Sequence, residues 1–183
     1  MVDLLPLLLE TGLIQFGRFG GDYKPFQLHF DLLPSYPDVL NAIVQQAGHL
    51  VGEVDHLVCV NQAIPFGVGL SLKTGIPLVY SWGSDEPPVY DLVGAYDIGH
   101  PSILLANHSD NMEYHARLVD QSRQVGLEID RLLVIIATGK SQKSDLEVLS
   151  LLKLELIVDE LAQSGELPEG QVLQMRQWLN KPG

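Results

Sequence analysis

From about residue 35 onward, short apolar runs rich in Val, Ile and Leu alternate with stretches whose apolar residues recur three and four positions apart. The runs at His56–Val60, Pro77–Ser81, Ser102–Ala106, Arg131–Ala137 and Leu154–Val158 show little in/out alternation, which predicts strands covered on both faces of a mostly parallel sheet. Between them the 3.6-residue period predicts helices. One is capped by Ser35 and begins near Tyr36-Pro37-Asp38, carries Leu40, Ile43, Val44, Ala47 and Leu50 on its apolar face, and ends near Gly52. Others span Pro65–Thr74, closed by Gly75, then Asn111–Val125, closed by Gly126, and Ser144–Leu152. Pro168–Leu179 adds a helix with Val172, Met175 and Trp178 as its apolar face. Ahead of this rhythm, Leu4–Leu9 reads as a core-packing helix, and Leu13–Phe19 with Phe26–Leu32 as a hairpin or lid. The expected architecture is α/β: an open, mostly parallel twisted sheet flanked by helices, with a small N-terminal hairpin.

Composition narrows the class. At 183 residues the expectation is one domain spanning 1–183. The hydrophobic fraction of 46% excludes disorder, and no apolar run approaches the ~20 residues of a membrane span. Asp3 and Glu10 flank the leucine-rich start with no base before it, unlike a secretion signal. The single cysteine, Cys59, lies in the apolar run Leu57–Val60, which predicts burial rather than reactivity; the expected location is cytoplasmic. A net charge of −12 with no basic stripe argues against nucleic-acid binding.

The chemistry concentrates where the run Ser102–Ala106 meets the polar cluster Asn107-His-Ser-Asp-Asn111. In open α/β sheets ligands bind at the carboxyl ends of strands, so Asn107, His108, Ser109, Asp110 and Asn111 are the candidate ligand-binding residues. Asn107, Ser109, Asp110 and Asn111 are also capping types, which accounts for at least one of them. No Lys or Arg occurs between Lys73 and Arg117, so the place suits an anion and the residues do not. Lys140 and Lys143 are the nearest bases expected on the same rim, as an anion contact or as part of a solvated loop. His108, Asp110, Glu113 and His115 supply metal-ligand types, but their spacing does not gather them, and no metal is assigned.

Two further patterns have simpler readings. Thr138-Gly-Lys-Ser141 resembles the tail of a phosphate loop, but Val134 stands where its first glycine is required. Gly67-Val-Gly69 lacks the third glycine of a dinucleotide fingerprint, Leu72 standing there, and reads as close helix packing. Tyr80, Trp82, Tyr90 and Tyr96 cluster around the acidic loop Asp85-Glu-Pro-Pro88, a pattern suited to stacking a planar ligand or, more commonly, to self-association.

Taken in order, these segments resemble orotate phosphoribosyltransferase and its relatives of the type I phosphoribosyltransferase family, from about Leu8 to Leu161. Phe16-Gly-Arg-Phe19, Lys24–Asp31, Ser35–Leu40, Val54–Val60, Ile64–Gly69, Thr74–Tyr80 and Gly126–Val134 carry the likeness. The resemblance implies a homodimer and a phosphoribosyl-pyrophosphate loop after Ala106. In the family, two adjacent acids and a Thr-Thr-Gly turn hold the phosphoribose. Here Asn107 and His108 fall where the acids belong, and Asn111, Met112 and Glu113 where the turn belongs. The family's bases after the Thr-Gly-Ile-Pro strand are replaced by Ser81 and Trp82, followed by Asp85 and Glu86. Transfer from phosphoribosyl pyrophosphate separates charge, and each lost stabilising group typically costs about 10²–10³ in rate. The expectation is therefore a non-catalytic relative binding a small molecule, a nucleotide or a partner. The alternatives are an active transferase toward orotate or a related base, the only case that brings in Mg²⁺, and a hydrolytic role for Asn107, His108 and Asp110.

Overall fold

The structure is a computed structural model describing residues 3–19, 24–83, 91–139 and 145–180. Helix α1 (Leu4–Glu10) starts at Asp3, whose carboxylate accepts the Leu5 N–H. Strands β1 (Ile14–Phe16) and β2 (Phe26–Leu28) pair antiparallel as the expected hairpin, but both are shorter than the sequence pattern. The chain beyond β2 winds into a 3-10 helix over Phe30–Ser35, so Ser35 closes that helix rather than capping the next. Helix α2 (Pro37–Ala47) begins after Tyr36 with Pro37 in the first turn, and ends at Gly48 rather than near Gly52.

Strands β3 (His56–Cys59), β4 (Leu78–Ser81), β5 (Leu92–Val93), β6 (His100–His108), β7 (Leu127–Ala137) and β8 (Glu147–Lys153) form one sheet in the order β5-β4-β3-β6-β7-β8. All neighbours are parallel except β4 and β5. Between the strands run helices α3 (Ile64–Thr74) and α4 (Met112–Gln124); α5 (Leu154–Ser164) and α6 (Glu169–Leu179) follow. The step from β3 to β4 runs one way across the sheet and that from β6 to β7 the other. Right-handed crossovers then place α3 and α4 on opposite faces. Leu57, Val58, Ile103, Leu104, Leu105 and Leu132–Ile136 are sealed between those layers, as their lack of alternation predicts.

The last third of the pattern is read in reverse by the sequence. Ser144–Leu152 was expected as a helix, yet Glu147–Lys153 is edge strand β8, and Ser144 lies outside the described residues. Leu154–Val158 was expected as a strand and is the start of α5. Leu154, Ile157, Val158 and Leu161 are its buried face, spaced i, i+3, i+4 and i+7, while Leu156 faces out. β5 was not anticipated, and β7 begins at Leu127, ahead of Arg131, with Glu128 and Asp130 turned outward.

Gly67 and Gly69 serve close packing. A Cβ at Gly67 would lie 3.1 Å from Cys59 Sγ and from Leu78 Cδ1, and one at Gly69 would lie 2.8 Å from Val44 Cγ2, so both let α3 press on the sheet and on α2. Cys59 is buried, and burial pushes its thiol up to about 12. No helix among the described residues is long and apolar enough to cross a membrane.

Candidate functional site

β3 and β6 are adjacent and parallel, but the chain leaves them in opposite directions, toward β4 and toward β7. A crevice must open outside their carboxyl ends, the position where open α/β sheets bind ligands. A cavity of about 270 Å³ lies there. Asn61 and Gln62 reach it from the end of β3, and His108, Asn111, Tyr114 and His115 from β6 and the first turn of α4. Val60 and Gly83 complete its described wall.

The polar cluster is part strand and part cap. Asn107 and His108 are the last residues of β6 and not loop, because their backbone continues the pairing with β7 as far as His108 against Ile136. Asn107 is buried, and its Nδ2 donates to the Gln62 carbonyl at 2.8 Å, so this side chain ties β6 to the turn after β3. Its Oδ1 is buried without a partner among the described residues. Ser109 turns away from the crevice: its N–H donates to the Ile136 carbonyl at 3.3 Å, and its Oγ accepts the Thr138 N–H at 3.0 Å. Asn111 is the N-cap of α4, its Oδ1 accepting the Tyr114 N–H at 3.2 Å. Glu113 stands exposed in that first turn.

A base reaches the cluster that no local reading could find. Lys24, just ahead of the β2 strand of the hairpin, places Nζ 3.4 Å from Asp110 Oδ2. Lys140 and Lys143, expected on this rim, lie outside the described residues, as do Asp85, Glu86 and Tyr90. Gly83 is held at the cavity by its N–H, which donates to Ser81 Oγ at 3.0 Å and to Asp91 Oδ2 at 3.2 Å. Ser81 Oγ itself donates to the buried Asp91 carboxylate.

The imidazoles here are neutral at physiological pH. Burial lowers His108, against the pull of the Asp110 carboxylate. It pushes His115 down to about 4, helped by the neighbouring His108 and opposed by Asp110. His115 is 4% exposed, and its Nδ1 has no partner among the described residues. His108 Nδ1 accepts the Asp110 N–H at 3.4 Å, which puts the ring proton on Nε2.

Among the described residues the cavity wall carries carboxamides, imidazoles and a phenol, and no Lys, Arg, Asp or Glu. Mg²⁺ takes carboxylates and substrate phosphates in a near-octahedral oxygen shell, and this donor set does not suit it. No group of three or more His, Cys, Asp or Glu among the described residues is placed to hold a metal ion. A phosphate would likewise find no fixed cation among the described residues of the wall.

Sheet order, hairpin and switch-point cavity together define a type I phosphoribosyltransferase-like α/β fold. The structure is similar to UMP synthase of Leishmania donovani, with a TM-score of 0.83 at 16% identity; the match covers 96% of this chain and 41% of that one, so the chain spans less than half of that protein. It is similar to orotate phosphoribosyltransferase of Francisella tularensis, with a TM-score of 0.71 at 14% identity over 95% of this chain and 96% of that one. The same enzyme from Aeropyrum pernix matches with a TM-score of 0.70 at 17% identity, over 87% and 99% of the two chains. No protein-family model and no curated protein matches the sequence.

Proposed function

We propose that this chain is a phosphoribosyltransferase-fold protein that binds a small molecule at the β3/β6 crevice and does not carry out phosphoribosyl transfer. The observation that carries the reading is the cavity wall at the switch point, which is uncharged among the described residues, with Asn107 and His108 at the strand end where the resemblance places two acids. Asn107 is committed to the Gln62 carbonyl, and His108 is held neutral by burial. Neither supplies the negative charge that steadies an oxocarbenium-like ribose, and among the described residues the wall offers no cation to a departing pyrophosphate.

The alternative, transfer from phosphoribosyl pyrophosphate to orotate or a related base, draws on Asp110 and Lys24, a carboxylate and a base at the rim. They are paired with each other, which leaves less of either charge for a substrate. Incubation of the protein with phosphoribosyl pyrophosphate, orotate and Mg²⁺ decides between the two. The expected result is no orotate-dependent release of pyrophosphate; release that depends on both substrates and on intact Asp110 overturns the proposal.

A further inference from the structure

A second cavity lies at the other end of the sheet, outside the amino ends of β3 and β4. Its volume is about 560 Å³, within the ~300–1,000 Å³ of ligand pockets. It is lined by His56, the first residue of β3, by Pro77 just ahead of β4, by Leu92 of β5 and by the loop Gly94–Asp97. That loop is clamped at both ends. Gly94, at φ +144°, sits so close to β4 that a Cβ would lie 2.9 Å from the Leu78 carbonyl oxygen and 3.1 Å from Val79 Cα. Gly99 secures the far end, its N–H donating to the Gly126 carbonyl at 2.7 Å. Tyr96, between them, packs against the core, so the wall is formed before any ligand arrives.

The chemistry of this wall is one-sided. Among the described residues it carries one carboxylate, Asp97, and no Lys or Arg. Asp97 is exposed and has no hydrogen bond or ion pair among the described residues. Asp55, next to His56 in sequence, is by contrast taken by His100, whose Nδ1 lies 2.8 Å from its Oδ2. Lys73, Arg123 and Arg131, the bases at this end of the sheet, are not among the lining residues. Beside the carboxylate, Leu92 and Pro77 offer apolar surface, and Tyr96 offers an aromatic ring of the kind whose face attracts cations.

We infer that this cavity takes a small organic cation, an amine carried on an apolar or aromatic body, with the ammonium against Asp97 and the body over Leu92, Pro77 and Tyr96. A metal ion is disfavoured, because one carboxylate does not replace a hydration shell and no group of three or more His, Cys, Asp or Glu among the described residues is placed to hold one. An anion meets the unpaired Asp97 with no base beside it among the described residues, and a neutral ligand leaves that charge unused. The inference concerns a cavity at the opposite end of the sheet from the β3/β6 crevice, and the outcome of the pyrophosphate assay does not bear on it.

The test is an NMR titration of the isotope-labelled whole chain, at neutral pH and low salt, with phenethylamine. Phenethyl alcohol and phenylacetate serve as further arms, since they keep the aromatic body and remove or reverse the charge. The amine is expected to give saturable amide shifts at His56, Leu92 and Gly94–Asp97, with about millimolar affinity or tighter that weakens as salt is added. The alcohol and the acid are expected to bind about fivefold more weakly or worse. Asp97→Asn changes an exposed side chain and is expected to keep the fold, to weaken the amine about fivefold and to abolish its advantage over the alcohol. No saturable shift with the amine overturns the inference, as do shifts scattered over the acidic surface or centred on Asn107–Asn111. Equal binding of the alcohol or the acid, or unchanged amine affinity in Asp97→Asn, overturns it as well.

Discussion

Lys24 Nζ lies 3.4 Å from Asp110 Oδ2, joining the N-terminal hairpin to the loop after β6 across 86 positions of sequence. The lysine side chain is 51% exposed and the aspartate 13%, so the contact is screened on one side and sheltered on the other. Exposed pairs are worth about 0.2–1 kcal/mol. Lys24→Met is expected to cost less than about 1 kcal/mol in urea unfolding, with a loss that shrinks as salt is added. A double-mutant cycle with Asp110→Asn measures the coupling; a value near zero at low salt would show that the pair does not hold the hairpin to the site.

Ser109 and Thr138 make an asymmetric pair. Ser109 Oγ accepts the Thr138 N–H at 3.0 Å and lies 3.2 Å from Thr138 Oγ1, all in buried surroundings. Ser109→Ala strands a buried backbone N–H and is expected to cost about 1–3 kcal/mol. Thr138→Val removes only the hydroxyl contact and keeps the N–H bond, so about 1 kcal/mol or less is expected. Thermal unfolding of the two variants gives the order; equal losses would mean that the N–H finds another acceptor.

Self-association is a proposal that the exposed aromatic end of β4 makes testable. Trp82 is 58% exposed and meets Tyr80 edge-on, the ring centroids 5.3 Å apart. Large aromatic side chains are enriched at interfaces, where burying one contributes strongly to association. The chain is expected to sediment as a dimer and Trp82→Glu as a monomer with an unchanged fold. A wild-type monomer at high concentration removes the proposal.

How much of this was legible in the sequence depended on distance along the chain. The parallel-sheet class, the strand cores of β3, β4, β6 and β7 and a helix cap within Asn107–Asn111 follow from local patterns, and the structure has them, the cap being Asn111. Leu154–Val158 misled because its apolar residues are dense enough to look continuous, and only the outward Leu156 and Glu155 reveal the helical stripe. β8 was missed for the complementary reason: an edge strand is half exposed, so Glu147–Lys153 never shows a buried run. Asn107 and His108 looked like loop because they are polar, yet pairing with β7 carries the strand through His108. Lys24 near Asp110, and the orientations of Asn61 and Asn111, depend on tertiary placement, for which one sequence contains no local signal.

The buried imidazole of His115 also sets a pH dependence. Burial lowers it from 6.5 to about 4, so between those values the unfolded chain binds a proton that the folded chain does not. By linkage the contribution is fully present above about pH 6.5 and is lost as pH falls toward about 4, an effect of about 3 kcal/mol for this one group. His108 is lowered too and acts in the same direction. The expected result is a wild-type stability that drops between neutral pH and pH 4, compared with a shallower drop in His115→Phe, whose ring cannot take up a proton. Measuring the difference between the two proteins cancels the carboxylates, which titrate in both. If the two pH profiles run parallel, His115 is protonated as readily in the folded protein as in the unfolded one, and its burial does not set the pH dependence.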